Sequence, residues 1–425
     1  MKRLALTAAA ILALTSAPMA QRGTTPKPLD IYVVDTEGGK AALWVAPSGQ
    51  SLLIDSGNPG NRDLDRIMAA VNDAGLKQID FLISTHYHVD HIGGLQELAK
   101  RIPIGHFIDH GPSVEEREQV QGFQAAYAEL YGKAKHTVVK PGDKIPIAGL
   151  DWRIVTSAGQ VLKTPLPGAG KPNPACAGIA PKDMSPTDDN GQSVGSVITY
   201  GQFRAIDLGD LLWNKENELM CPNNPVGTVD AFFVTHHGLD QSNSPALVHA
   251  LQPRVAVMQN GTRKGAGTDT MKTMWSSPGL EDIWELHWSY NAGIDLNSAG
   301  VFIANIDDPA TIAGVLTAPP RGGGPGGAGR GGPGGAAPAG GPPAAAGQPP
   351  AGAPAASAPA ANASQAPASG APGSAGAPGG GRGGGGTAAA AHTPAYWIKM
   401  SVQPDGSFTV TNSRNGFTKS YPKRR

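Results

Sequence analysis

Residues 81–94 read Phe-Leu-Ile-Ser-Thr-His-Tyr-His-Val-Asp-His-Ile-Gly-Gly, and no other stretch restricts the fold as much. The apolar run Phe81-Leu82-Ile83 has the length and composition of a buried strand. Behind it His86, His88, Asp90 and His91 crowd into one short loop. A ligating imidazole must be neutral and a carboxylate ionised, and both conditions hold near neutral pH. His86 and His88 alternate like side chains at a strand end, so both can face one cation. Asp90 and His91 come after the chain has begun to turn, which aims them at a second point nearby. Gly93 and Gly94 let the backbone pass tightly into the helix suggested by Leu95-Gln96-Glu97-Leu98. The plain alternative is a polar loop with coincidental histidines. Four ligand-type side chains in this pattern argue against it.

Two stretches are set aside before domains are counted. Met1-Lys2-Arg3, the apolar run from Leu4 to Leu14 and the small residues up to Ala20 have the shape of a secretory signal, so 1–20 is expected to be removed and the protein to be secreted or periplasmic. That apolar run is too short to span a bilayer, and no transmembrane segment is expected in the mature chain. Residues 318–391 are nearly all Gly, Pro and Ala, a composition that cannot bury enough apolar area to offset chain entropy, and are expected to be disordered. Cys176 and Cys221 are the only cysteines. An even count in an exported chain fits one disulfide bracing the loops around them. Lys and Arg together number 34 against 34 Asp and Glu, so no global field gathers nucleic acid or anionic membrane.

From Leu29 onward, Ile31–Val34, Ala42–Val45 and Leu52–Ile54 read as an antiparallel meander separated by Gly38-Gly39 and Pro47-Ser48-Gly49. A helix carrying Leu64, Ile67, Met68 and Val71 follows. Further elements are strands at 79–83, 104–108, 152–155, 196–200, 203–206, 231–234 and 255–258, and helices at 114–131, 245–251 and 280–288. A strand at 300–303 closes the continuous part. Trp284 and Trp288, four apart on the expected last helix, are assigned to packing on a sheet. Residues 157–192 are Pro- and Gly-rich and irregular. Beyond the Gly/Pro/Ala segment, 396–400 and 407–410 read as a hairpin too small to fold alone. The domain therefore runs over 29–317 plus 392–425, with 318–391 as an insertion.

Three further positions end apolar runs beside glycines: Asp55, Asp210 and the pair His236-His237. Strand ends of this kind can meet the histidine loop along one sheet edge, and Asp210 is the candidate carboxylate to sit between two cations. The Asp55-Ser56-Gly57 turn, His86-x-His88-x-Asp90-His91-x-Gly93-Gly94, Leu208-Gly209-Asp210 and His236-His237-Gly238 together resemble the metallo-β-lactamase superfamily. The segment from Asn190 to Ser196, before paired strands ending in Gly-Asp, is closer to its ComEC-like branch, which includes the extracytoplasmic domain of the DNA-uptake protein and phosphorylcholine esterases.

The resemblance implies an α/β fold, a four-layer αββα sandwich, with two divalent metal ions, zinc or manganese, at one edge. Carried over by position, His86 and His88 hold one ion, and Asp90, His91 and one of His236 and His237 hold the other. His237 is the favoured ligand, with His236 facing substrate. Asp210 bridges, and Asp55 supports the histidine loop by hydrogen bonding. Many members carry another ligating histidine after the strand equivalent to 152–155. Here the text is Ser157-Ala158-Gly159-Gln160, so the His86/His88 ion is left to water, Gln160 or a group near Asp188-Asp189-Asn190. That departure favours phosphoester chemistry over a β-lactamase or a glyoxalase-like thioesterase.

Two such ions lower the pKa of a shared water and neutralise charge on the attacked group. Asp90 and His236 are the candidates to move protons. Asn190, Arg263 and Lys264 are candidates to hold an anionic group of the substrate. The expected function is an exported metal-dependent hydrolase acting on a phosphodiester or related ester, whether a small molecule or an envelope polymer. A lactonase or β-lactamase-like hydrolase and a non-catalytic metal-binding envelope scaffold are the alternatives. Nucleic acid is a less favoured substrate.

Overall fold

The structure, a computed structural model, describes residues 27–307 and 394–424. The signal-like stretch 1–20 and the Gly/Pro/Ala segment 318–391 lie outside the described residues. Two nine-stranded sheets form the frame. The first begins as the meander Leu29–Val33, Ala42–Val45 and Ser51–Ile54, then continues in parallel through Phe81–Ile83, His106–Asp109 and Lys135–Val138. The second runs from Lys144–Ile145 and Asp151–Ser157 through Gly195–Tyr200 and Phe203–Asp207. It continues in parallel through Ala231–Phe233, Val255–Met258, Asp282–His287 and Ile303–Asn305.

Both faces of each sheet are covered, so the strands are apolar on both sides while still obeying the two-residue alternation. Ile31, Val33, Ala42 and Trp44 face the sheet-to-sheet interior; Tyr32, Val34 and Leu43 face outward. The interior is joined by Trp44, whose ring centre lies 5.2 Å from that of Trp152 and 5.1 Å from that of Phe233. Helices Asn61–Asp73, Leu95–Arg101 and Glu118–Tyr131 bury Leu64, Ile67, Leu98 and Tyr127 on the outside of the first sheet. Helices Trp213–Met220, Pro245–Leu251 and Thr268–Trp275 bury Leu219, Leu247 and Met271 on the second. The result is the expected αββα sandwich. Among the described residues no helix is long and apolar enough to cross a membrane.

Three strands after the Gly/Pro/Ala segment complete the first sheet. Ile398–Val402 pairs antiparallel with Leu29–Val33, and Phe408–Asn412 and Thr418–Tyr421 follow outward. The third of these was not expected from the sequence. In the irregular stretch 157–192, Cys176 is joined to Cys221 with their Cα atoms 5.8 Å apart.

One element is of a different kind from that expected. Residues 280–288 read as a helix, but Asp282–His287 is a strand flanked in parallel by Val255–Met258 and Ile303–Asn305. All six of its residues are buried. Trp284 and Leu286 fill the sandwich interior while Ile283 faces the outer helices. The strand's polar residues Asp282, Glu285 and His287 fall on both faces and are buried too, so the run shows no clean two-residue alternation, and the four-residue spacing of Trp284 and Trp288 reads as helical. The closing strand also starts later than expected, at Ile303, after a short 3-10 turn at Gly300–Phe302.

Candidate metal centre

The C-terminal ends of parallel strands from both sheets meet at one edge and carry the ligand-type side chains. Asp55 follows Ser51–Ile54, the histidine loop follows Phe81–Ile83, Asp210 follows Phe203–Asp207, and His236-His237 follow Ala231–Phe233. Asp90, His91, Asp210 and His237 each place one ligand atom within 4.8 Å of the others. His91 Nε2 lies 3.1 Å from Asp210 Oδ2 and 3.2 Å from His237 Nε2. His237 Nε2 lies 3.1 Å from Asp90 Oδ2 and 3.3 Å from Asp210 Oδ2.

Backbone conformation is spent on this convergence. Asp55, His236 and His237 have φ of 58°, 55° and 54°, the left-handed region that costs non-glycine residues on the order of 1–3 kcal/mol each and clusters at functional sites. Gly94 is required for a different reason: a Cβ there would run into the carbonyl oxygen of Ser56. The same Ser56 receives the loop, its N–H donating to His91 O at 2.6 Å.

Hydrogen bonds fix which nitrogen of each ring faces inward. His237 Nδ1 donates to the backbone oxygen of Gln259 at 3.1 Å, leaving Nε2 as the inward atom. Ser242 gives its one proton to Leu211 O, so at 3.2 Å it accepts from His236 Nδ1, and His236 Nε2 is again the bare nitrogen. Thr85 donates to Asp55 Oδ2, so its oxygen can accept from His86 Nδ1 at 3.1 Å. His91 Nδ1 donates to Asp55 Oδ2 at 2.7 Å. Four imidazoles are thus anchored through Nδ1 with Nε2 exposed to the site, the arrangement in which histidine binds metal.

The electrostatics agree with a place for positive charge. Burial pushes Asp90 up, but His91 and Lys264 hold it well below the usual carboxylate range. Burial acts likewise on Asp210, and His237, His91 and His236 outweigh it. Burial pushes His91 down, yet Asp210, Asp90 and Asp55 carry it well above the usual imidazole value, so without a metal it keeps a proton among three carboxylates. Burial lowers His236 to about 4 against the pull of Asp210, leaving it neutral. His86 Nε2 and Asp210 Oδ1 are buried with no hydrogen-bond partner. Bare buried donors of these two kinds, facing carboxylates, fit divalent cations.

The remaining expected residues divide. Lys264 Nζ pairs with Asp90 Oδ2, and Asn190 Nδ2 is 3.5 Å from His236 Nε2. Arg263 is exposed and lies over the Tyr290 ring, 4.3 Å from its centre. Gln160 is exposed on a short edge strand. His88 Nε2 is 2.7 Å from Glu115 Oε1. Glu115, Thr85, Ser242 and Gln259 were not singled out from the sequence. Thr85 sits inside the motif and was legible there; the others carry no local signal.

Residues 35–175 match the family model described as Metallo-beta-lactamase superfamily. Competence protein ComA of Neisseria gonorrhoeae is 24% identical over 231 residues, 54% of this chain and 27% of that protein. ComE operon protein 3 of Bacillus subtilis (strain 168) is 28% identical over 189 residues, 44% of this chain and 20% of that protein. A hydroxyacylglutathione hydrolase of Klebsiella pneumoniae is 26% identical over 122 residues, 28% of this chain and 39% of that protein. The chain therefore spans well under half the length of each of these relatives. The matched stretch contains the histidine loop and the strands that present it, so over residues 35–175 the chain is similar to the metallo-β-lactamase superfamily, and its likeness to the two competence proteins lies on the ComEC-like side.

Proposed function

We propose that this chain is an exported hydrolase that holds two divalent cations, zinc or manganese, and cleaves a phosphodiester or a related ester. The observation that carries the reading is the convergence of anchored imidazoles on Asp90 and Asp210, with His91 Nε2 3.1 Å from Asp210 Oδ2. His91, His237, Asp90 and Asp210 would hold one cation, and His86 with neighbouring donors the other. Such cations supply an acidified water and neutralise charge on the attacked group.

The chain's own residues supply the rest. His236 presents a neutral Nε2, 3.6 Å from Asp210 Oδ2, and can take up or return a proton at that atom. Asn190 sits beside it as a donor to a substrate oxygen. Lys264 stands at the rim, 40% exposed, where an anionic group of the substrate can share it with Asp90. An anionic ester suits this cationic rim better than a neutral amide, and a small or envelope-polymer ester suits the chain's balanced charge better than nucleic acid.

The test is turnover of a chromogenic phosphodiester by the mature protein, metal-free and then with zinc or manganese, beside Asp210→Ala. Metal-dependent turnover that falls to background in the variant supports the reading. Metal bound without turnover would sink the phosphodiester assignment. Lactone and β-lactam assays would then take up the alternative reading, a lactonase or β-lactamase-like hydrolase. Strong loss of turnover with added salt would mark a nucleic-acid substrate.

A further inference from the structure

Of the loop's imidazoles, His86 and His88 both stand outside the cluster of Asp90, His91, Asp210 and His237, and His88 has carboxylates of its own. Its Nε2 meets Glu115 Oε1 at 2.7 Å, and Asp188 completes a set in which one ligand atom from each of the three lies within 4.8 Å of the others. That span suits a single cation, because two ligands about 2.0–2.4 Å from an ion on opposite sides are at most about 4–5 Å apart.

The set is held from behind. Asp189 is fully buried. Its Oδ2 accepts from Tyr87 N at 2.8 Å and its Oδ1 from Ser113 Oγ at 2.7 Å, while its own N–H donates to Glu115 Oε1 at 2.9 Å. One side chain and its amide thus clamp the histidine loop, the 113–117 loop and the 188–190 turn together. His86 stands alongside: its ring centre is 4.6 Å from that of His88, the residue is fully buried, and its Nε2 has no partner.

A positive group already lies on this set. Arg117 Nη2 is 2.8 Å from His88 Nε2, and the guanidinium also pairs with Glu115 Oε2. A single nitrogen cannot accept from Arg117 and donate to Glu115 at once, so His88 satisfies one neighbour at the expense of the other. Arg117 is 63% exposed and faces a cleft of about 560 Å³ lined also by Glu115, Ser185, Thr187 and Asp188. It can leave without disturbing the fold.

We propose that His88, Glu115 and Asp188, beside His86, form the second cation position, and that Arg117 occupies it in the metal-free protein and is displaced when metal loads. This rests on the cation-binding part of the function proposed above. Glu115 and Asp188 supply the donors that the sequence lacks at Gln160. With two carboxylates for one or two imidazoles, the position takes manganese more readily than a histidine-rich one does. The freed guanidinium then faces the cleft as an anion-binding arm.

Calorimetric titration of manganese chloride or zinc chloride into the metal-free full chain tests this, with Glu115→Gln, Asp188→Asn and Arg117→Gln alongside. The wild type is expected to show a tighter and a weaker event. Glu115→Gln and Asp188→Asn should each weaken the second event at least tenfold, since losing a group that touches the cation costs no less than losing a hydrogen-bonding partner of a ligand, about 10–100-fold, and leave the first unchanged. Arg117→Gln should tighten the second several-fold. Asp188→Asn keeps the oxygen that accepts from Asn190 N, so it guards against a folding defect in Glu115→Gln. A second event indifferent to all three variants, or the absence of one in the wild type, overturns the proposal. Failure of phosphodiester turnover with these shifts intact would remove only the proposed reaction.

Discussion

Asp55 Oδ2 lies 2.7 Å from His91 Nδ1, and this contact, remote from the inward face of the ring, decides which nitrogen of His91 meets Asp210. The same carboxylate accepts from Thr85 N at 2.8 Å and from Thr85 Oγ1 at 2.7 Å. Asp55→Asn should therefore lower affinity for zinc or manganese by about 10–100-fold while the protein stays folded. Metal content after dialysis against graded chelator measures it; full retention would show that the tautomer is set elsewhere.

Gly94→Ala should cost about 1–3 kcal/mol, the range for forcing atoms into packed space, because the new methyl meets Ser56 O. The loop must shift to make room, so chemical denaturation and metal retention should fall together. Unchanged stability would mean that the loop gives way freely.

The buried pair of His287 and Asp35, 2.7 Å apart, should make stability fall with alkali. Burial pushes His287 down from its ordinary 6.5, but Asp35, Asp307 and Glu37 win and raise it to about 9. The folded state thus binds this proton more tightly than the unfolded chain. The contribution is fully present below pH 6.5, is lost as pH rises through 9, and amounts to about 3 kcal/mol. Urea midpoints of the metal-free protein across that window should decline in the wild type and stay flatter in His287→Gln. Parallel curves would refute the assignment.

Tyr421 links the last strand to the second sheet: Trp284 Nε1 donates to its oxygen at 2.9 Å, and that oxygen donates to Asp282 Oδ2 at 2.6 Å. Tyr421→Phe leaves a buried indole N–H without a partner and should cost about 1–3 kcal/mol. Equilibrium denaturation reads this directly, and a loss near zero would mean that the strand is held by its apolar contacts alone.

Legibility followed the range of each interaction. The opening meander could be read because short runs rich in β-branched, aromatic and other apolar residues are separated by turns that carry glycine. Asp55 stood out because an apolar run ended in Asp-Ser-Gly. Residues 282–287 deceived because Asp282, Glu285 and His287 put buried polar groups on both faces of the strand and erase its two-residue alternation. Glu115 was out of reach for another reason: it meets His88 across 27 positions, and nothing in Ser113-Val114-Glu115-Glu116 separates it from an ordinary solvated loop. Gln259 contributes a backbone oxygen, which no side-chain pattern announces.

The amide of Asn305 donates to Tyr396 O at 3.0 Å and its oxygen accepts from Tyr396 N at 2.9 Å. The chain thus departs for the stretch 308–393 and returns from it at one doorway. With its threshold fixed, the traffic between costs the fold little: closing a tenfold shorter segment would change the closure entropy by only about 2 kcal/mol. Because one side chain holds both ends, the sandwich feels the length of what is joined at that doorway only weakly.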